Sequence, residues 1–168
     1  MLNYEQMRAA IATLKDWELV SSFTVGGFDY MGFSVSEPYK LLILSGQRDT
    51  VYDCSLKRLV DAEVIVDEKT FVAMCDLLPD EFIPIAGSYG GSIPHETAQG
   101  ERVEITCHDP HTVSGKELIY QQIEFVDLAG NRTVIFDSYP SYVCGFSSDG
   151  NYFALADDGA LWVLKRRA

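Results

Sequence analysis

The placement of tight-turn dipeptides restricts this chain more than any other feature. Gly130-Asn131, Asp149-Gly150 and Asp158-Gly159 each separate two short runs rich in apolar, aromatic or β-branched residues. Such pairs suit hairpin turns, whose central residues need positive φ. The runs are 103–107, 118–126, 133–136, 142–146, 152–156 and 160–164. The first half reads similarly. Strands are expected over 17–25, 31–35, 40–45, 50–54, 64–66 and 82–86, with Gly26-Gly27 as punctuation. Two segments carry helical spacing instead. Asn3 is an N-cap ahead of Tyr4, Met7, Ile11 and Leu14, which predicts a helix over 4–15. Phe71, Met74, Cys75 and Leu78 fall at i, i+3, i+4 and i+7, which predicts a second, internal helix over 68–78, stopped by Pro79. Gly87 to Gly100 reads as a loop, with four glycines and one proline in fourteen residues. The expected fold is α+β and mostly β: an antiparallel twisted sheet or barrel-like meander with an N-terminal helix and one internal helix.

A chain of 168 residues is one typical domain, and 1–168 is expected to be a single one. A composition of 47% hydrophobic and 23% charged residues is that of a folded protein. No run approaches the roughly 20 apolar residues of a membrane span. Residues 1–15 lack the basic start and apolar centre of a secretory signal, so the expected location is the cytoplasm. The cysteines, Cys54, Cys75, Cys107 and Cys144, form no CxxC pair and are expected to be free thiols. A net charge of −12 disfavours nucleic acid and anionic lipid as partners. Lys165, Arg166 and Arg167 make a short basic end, expected to be solvated.

Two segments echo one another. Gly32 opens GFSVSEPYKLLILSGQRDTVYD and Gly145 opens GFSSDGNYFALADDGALWVLKR. Both carry Gly-Phe-Ser, a tyrosine seven residues after the glycine (Tyr39, Tyr152) and a second glycine at offset 14 (Gly46, Gly159). This unit resembles the strand–turn–strand of a WD40-type β-propeller blade, and the resemblance covers 32–53 and 145–166. The blade's closing Trp-Asp pair is absent, with Trp162-Val163 and Tyr52-Asp53 near its place. In general type the chain is also similar to bacterial toxin-immunity proteins, small acidic proteins that bind and silence a toxin. That resemblance implies an antitoxin-like role with no catalytic residue and no cofactor.

Cys107, His108, Asp109 and His111 are of metal-ligating types, with His95 as a further donor. Neighbours on a strand point to opposite faces, so Cys107 and His108 cannot readily share an ion. Polar loop residues are the expected reading, and no metal is expected. No cysteine sits in a nucleophile elbow, and Cys75 is expected in the core. The loop 88–94 lacks the Lys-Ser/Thr of a phosphate cradle. The acidic concentration is more informative. Asp61, Glu63, Asp67, Glu68, Asp76, Asp80 and Glu81 stand against one basic residue, Lys69. A negative face of this kind steers and selects a cationic partner. The leading expectation is therefore a non-enzymatic binding protein, of immunity or antitoxin type, that occludes a basic protein such as a toxin. Those seven acids are its expected contacts, joined by Tyr89 and Ile93 as exposed loop residues. Two other classes stay open. One is a small-molecule enzyme or ligand-binding barrel using His95, His108 and His111; the other is a structural or assembly subunit.

Overall fold

In the computed structural model, which describes residues 2–108, 111–139 and 142–168, one helix precedes eighteen strands. Helix α1 (Tyr4–Ala12) begins with a capping box: Asn3 Oδ1 accepts from Gln6 N at 2.8 Å and Gln6 Oε1 accepts from Asn3 N at 2.9 Å. It ends short of the expected Lys15. Thr13 donates its amide and its hydroxyl to Ala10 O, tightening the last turn.

The strands follow as β1 (Trp17–Thr24), β2 (Phe28–Phe33), β3 (Lys40–Ser45), β4 (Thr50–Asp53), β5 (Arg58–Asp61), β6 (Val64–Asp67), β7 (Val72–Cys75), β8 (Leu78–Pro84), β9 (Ala86–Gly87) and β10 (Gly90–Gly91). The second half holds β11 (Arg102–Cys107), β12 (His111–Val113), β13 (Lys116–Leu118), β14 (Gln121–Val126), β15 (Arg132–Ser138), β16 (Tyr142–Phe146), β17 (Tyr152–Asp157) and β18 (Ala160–Arg166). They pair antiparallel into separate sheets, none closed into a barrel: β1-β18-β17-β16, β10-β9-β2-β3-β4-β5, β6-β7-β8, β11-β14-β15 and the hairpin β12-β13. The first and last long strands are neighbours, with Trp17 opposite Arg166 and Thr24 opposite Ala160.

The internal helix expected over 68–78 is not formed, and β7 and its flanking turns stand in its place. Asp67 Oδ1 accepts from Lys69 N at 2.9 Å and Oδ2 from Thr70 Oγ1 at 2.9 Å, a side-chain-capped turn that competes with helix. Phe71 then takes φ 52°, outside any right-handed helix. Beyond it Ala73 and Cys75 are buried while Met74 is exposed, the alternation of a strand.

The echo is structural as well as sequential. Gly32 pairs with Leu42 and Gly145 with Ala154. Ser34 N donates to Lys40 O, and Ser147 N to Tyr152 O, both at 2.9 Å. The first copy has one more residue in its turn, so Tyr39 matches Asn151 in position: Cys54 N donates to Tyr39 O and Arg166 N to Asn151 O, both at 2.8 Å. Another segment presses on each opening glycine. A Cβ on Gly32 would lie 2.1 Å from Pro84 O, whereas one on Gly145 would lie 2.3 Å from the Ile93 side chain and 2.8 Å from Pro94 O.

Three cores join the sheets in series. Tyr30, Leu42 and Leu44 meet Ala73, Cys75 and Ile83 between β2–β4 and β6–β8. Met31, Leu41 and Ile43 meet Ala154, Leu161 and Val163. Met7, Ile11 and Trp17 meet Phe125, Ile135, Phe146 and Phe153, covering β14–β15 and β16–β18. Among the described residues no helix is long and apolar enough to cross a membrane.

Candidate binding face on β6–β8

The three strands β6, β7 and β8 bury one face only. Ala73 and Ile83 sit opposite each other, both fully buried, with Cys75 and Leu78 beside them. Alternation then sends their neighbours outward. Ile65 is paired with Met74, and Phe82 adjoins Ile83 on the next strand. These outward side chains are 72%, 48% and 68% exposed. Ile65 and Met74 thus form an exposed apolar pair across β6 and β7, while Phe82 is exposed on β8 where the β7–β8 register shifts, and Leu77 is partly exposed nearby. Scattered single apolar residues are unremarkable on a surface, but several on one three-stranded sheet are not.

Carboxylates rim the pair Ile65 and Met74. Glu63, Ile65, Met74, Asp76, Pro79 and Asp80 line an open groove of about 520 Å³, and no basic residue lines it. Asp76 closes the β6–β7 end: its Oδ1 accepts from Glu63 N at 2.9 Å, and its own amide donates to Glu63 O at 3.1 Å. Asp80 holds φ 64°, a left-handed conformation that aspartate tolerates better than most side chains.

The other expected contacts divide between roles. Asp61 ends β5 and pairs with Arg48 at 3.3 Å, an exposed bridge of little net worth. Asp67 caps its turn, and the amide of Lys69 and hydroxyl of Thr70 hold its carboxyl below the usual range. Glu81 accepts from Ser36 N at 3.1 Å, from Ser36 Oγ at 2.9 Å and from Ser34 Oγ, tying β8 to the turn after β2. Glu68 and Tyr89 lie elsewhere, in a cleft described below. Ile93, expected as an exposed contact, is only 6% exposed; it packs in the core against Gly145. The loop around it is anchored too. Val103 N donates to His95 O at 2.9 Å and Thr97 N to Glu101 O at 2.8 Å.

The His111 side chain lies outside the described residues. His95 Nε2 lies 3.1 Å from Cys144 O, and His95 lines the 220 Å³ groove between β9–β10 and β16. His108 is exposed, its ring 5.2 Å from that of Tyr120. Asp109 lies outside the described residues. No group of three metal-ligating side chains forms among the described residues. All four cysteines are free. Cys54, Cys75 and Cys144 are buried, and burial pushes the Cys54 and Cys144 thiols up to about 12, away from thiolate chemistry at neutral pH.

The basic end is not loose. Arg166 donates from Nη1 to Glu101 Oε1 at 2.8 Å and from Nη2 to Glu101 Oε2, and its guanidinium lies 4.8 Å from the Trp17 ring centroid. Glu101 is wholly buried and also accepts from Trp17 Nε1 at 3.1 Å. Arg167 Nε donates to Trp17 O at 3.1 Å.

These features define a mostly β chain of antiparallel sheets with an unpartnered, acid-rimmed apolar face. Compared with family models, curated proteins and solved structures, the chain matches none.

Proposed function

We propose that this chain is a non-enzymatic binding protein that occludes a basic partner through the outer face of β6–β8, in the manner of an immunity protein. The observation that carries the reading is the exposed pair Ile65 and Met74, rimmed by Glu63, Asp76 and Asp80 with no cation among the groove's described lining, and with Phe82 exposed on the same three-stranded sheet. Interfaces commonly combine a few apolar anchors with a polar rim. Here the rim carries one sign, and the whole chain carries −12, so the matching surface is cationic around an apolar centre. A nuclease toxin has that character, because its own substrate is anionic. The free cysteines support work in a reducing compartment such as the cytoplasm.

The test is affinity capture from the native source at low and high salt, followed by binding of the purified captured protein. Three baits are compared: wild type, Ile65→Ser/Met74→Ser/Phe82→Ser, and Glu63→Gln/Asp76→Asn/Asp80→Asn. The expected result is a basic protein bound one to one by wild type at low salt. The triple serine variant should weaken binding by roughly 30-fold or more, the scale of a lost interface anchor. The acidic variant should slow association and flatten the salt dependence. A partner indifferent to both sets of changes, or no partner, overturns the proposal.

A further inference from the structure

A second cleft opens between β2–β3 and the β6–β7 turn. Its volume is about 700 Å³, within the roughly 300–1,000 Å³ of small-ligand sites. Three rings line it: Tyr30, Phe71 and Tyr89. Tyr30 lies 6.3 Å from Phe71 and 6.1 Å from Tyr89, centroid to centroid. Three carboxylates line it too, Asp29, Asp49 and Glu68, and among the described residues no lysine, arginine or histidine does. Tyr30 is buried, and its hydroxyl donates to Glu68 Oε1 at 3.3 Å, aiming that carboxylate. Phe71 is fixed by its own backbone: φ is 52°, its carbonyl accepts from Ile85 N at 3.0 Å, and a Cβ on Gly90 would lie 2.5 Å from its ring. Tyr89 is 73% exposed and forms a wall free to settle on an occupant.

We infer that this cleft is a receptor for a guanidinium group, held between the rings of Tyr30, Phe71 and Tyr89 and the carboxylates of Asp29, Asp49 and Glu68. Aromatic faces attract cations, and guanidinium in particular stacks flat on rings while its edge donates to carboxylates. The three acids do not gather into a metal-binding group among the described residues. Acids spread around a space suit a planar fork of donors better than a point charge. Val66, which lines the cleft, and the exposed Ile65 are neighbours on β6 and point to opposite faces, and β6 is an edge strand, so a partner on the outer face reaches the cleft by wrapping that edge. An arginine of the same partner is the favoured carrier, and only this last step rests on the proposed function.

The experiment is calorimetric titration of the full chain with three probes: acetyl-Gly-Arg-Gly-amide, its lysine counterpart and methylguanidinium. Variants are Tyr89→Ala and Glu68→Gln, with Leu128→Ser, an exposed residue between β14 and β15, as a control outside the cleft. The arginine peptide should bind saturably. Tyr89→Ala and Glu68→Gln should each weaken it roughly 5- to 30-fold, with Leu128→Ser unchanged and with unaltered thermal midpoints. Tighter binding of the peptide than of methylguanidinium assigns the site to a partner's arginine; equal binding assigns it to a free guanidinium compound. No saturable binding, equal binding of the lysine peptide, or indifference to Tyr89→Ala overturns the inference. Cleft binding without any capture by the β6–β8 face would leave this site standing and remove the proposed function.

Discussion

Replacing Arg166 by methionine strands a carboxylate where water does not reach. Glu101 has no exposed surface, and its oxygens are held by both terminal nitrogens of Arg166 and by Trp17 Nε1, with Thr97 Oγ1 more distant at 3.5 Å. Removing one partner of a buried pair leaves an uncompensated charge and costs about 3–5 kcal/mol. Arg166 also donates to Gly150 O at 3.0 Å and covers the Trp17 ring, so the upper part of that range is expected. For a chain of this length each kcal/mol moves the midpoint by about 2–4 °C, giving a fall of about 6–20 °C. Glu101→Leu/Arg166→Met removes both charges and should recover most of the loss, because buried pairs roughly break even against apolar replacements. Thermal and urea unfolding followed by circular dichroism, on both singles and the double, measures the coupling. A loss below about 1 kcal/mol for Arg166→Met would refute the reasoning, since it would mean that Glu101 is hydrated after all.

Three further outcomes follow from local geometry. Gly32→Ala and Gly145→Ala should each destabilise by about 1–3 kcal/mol, Gly32 more, because its new methyl meets the Pro84 carbonyl, which cannot rotate away, whereas that of Gly145 first meets the buried Ile93 side chain; urea midpoints read this. Asp67 and Asp127 cap turns, and hydrogen bonds hold both carboxyls below their usual 3.8. Their unfolded forms bind protons first, so the stability they contribute is complete above the unfolded value and disappears as pH falls through the lowered folded values; Asp67→Asn should flatten acid unfolding in that window. A thiol reagent at neutral pH should label Cys107 first in the native chain, with the buried Cys54, Cys75 and Cys144 reacting only on unfolding; peptide mass mapping reads the order.

Elements defined by local chemistry were legible in the sequence. Asn3 and Gln6 form the cap that their spacing suggests, and Asp149-Gly150 and Asp158-Gly159 fall at the turns flanking β17. The segment 68–78 misled because Phe71, Met74, Cys75 and Leu78 fit helical spacing while Ala73 and Cys75 also fit alternation. Asp67-x-Lys-Thr was the competing turn signal, and it prevails. β5 carries no apolar alternation, since every residue of it is exposed, so nothing in its pattern marks a strand. The acidic concentration was readable as composition. The exposed apolar pair was not, because Ile65 and Met74 become neighbours only through strand register. Ile93 was misjudged for a related reason: a glycine-rich loop reads as exposed, yet Gly145 leaves room for that side chain to pack inside.

The most direct test of the central claim is amide hydrogen exchange on the chain, free and with its captured basic partner. The account expects added protection over β6–β8, at 63–67, 72–76 and 78–84, with little change on β15. Protection confined to other surfaces, with 63–84 exchanging as in the free chain, would contradict it.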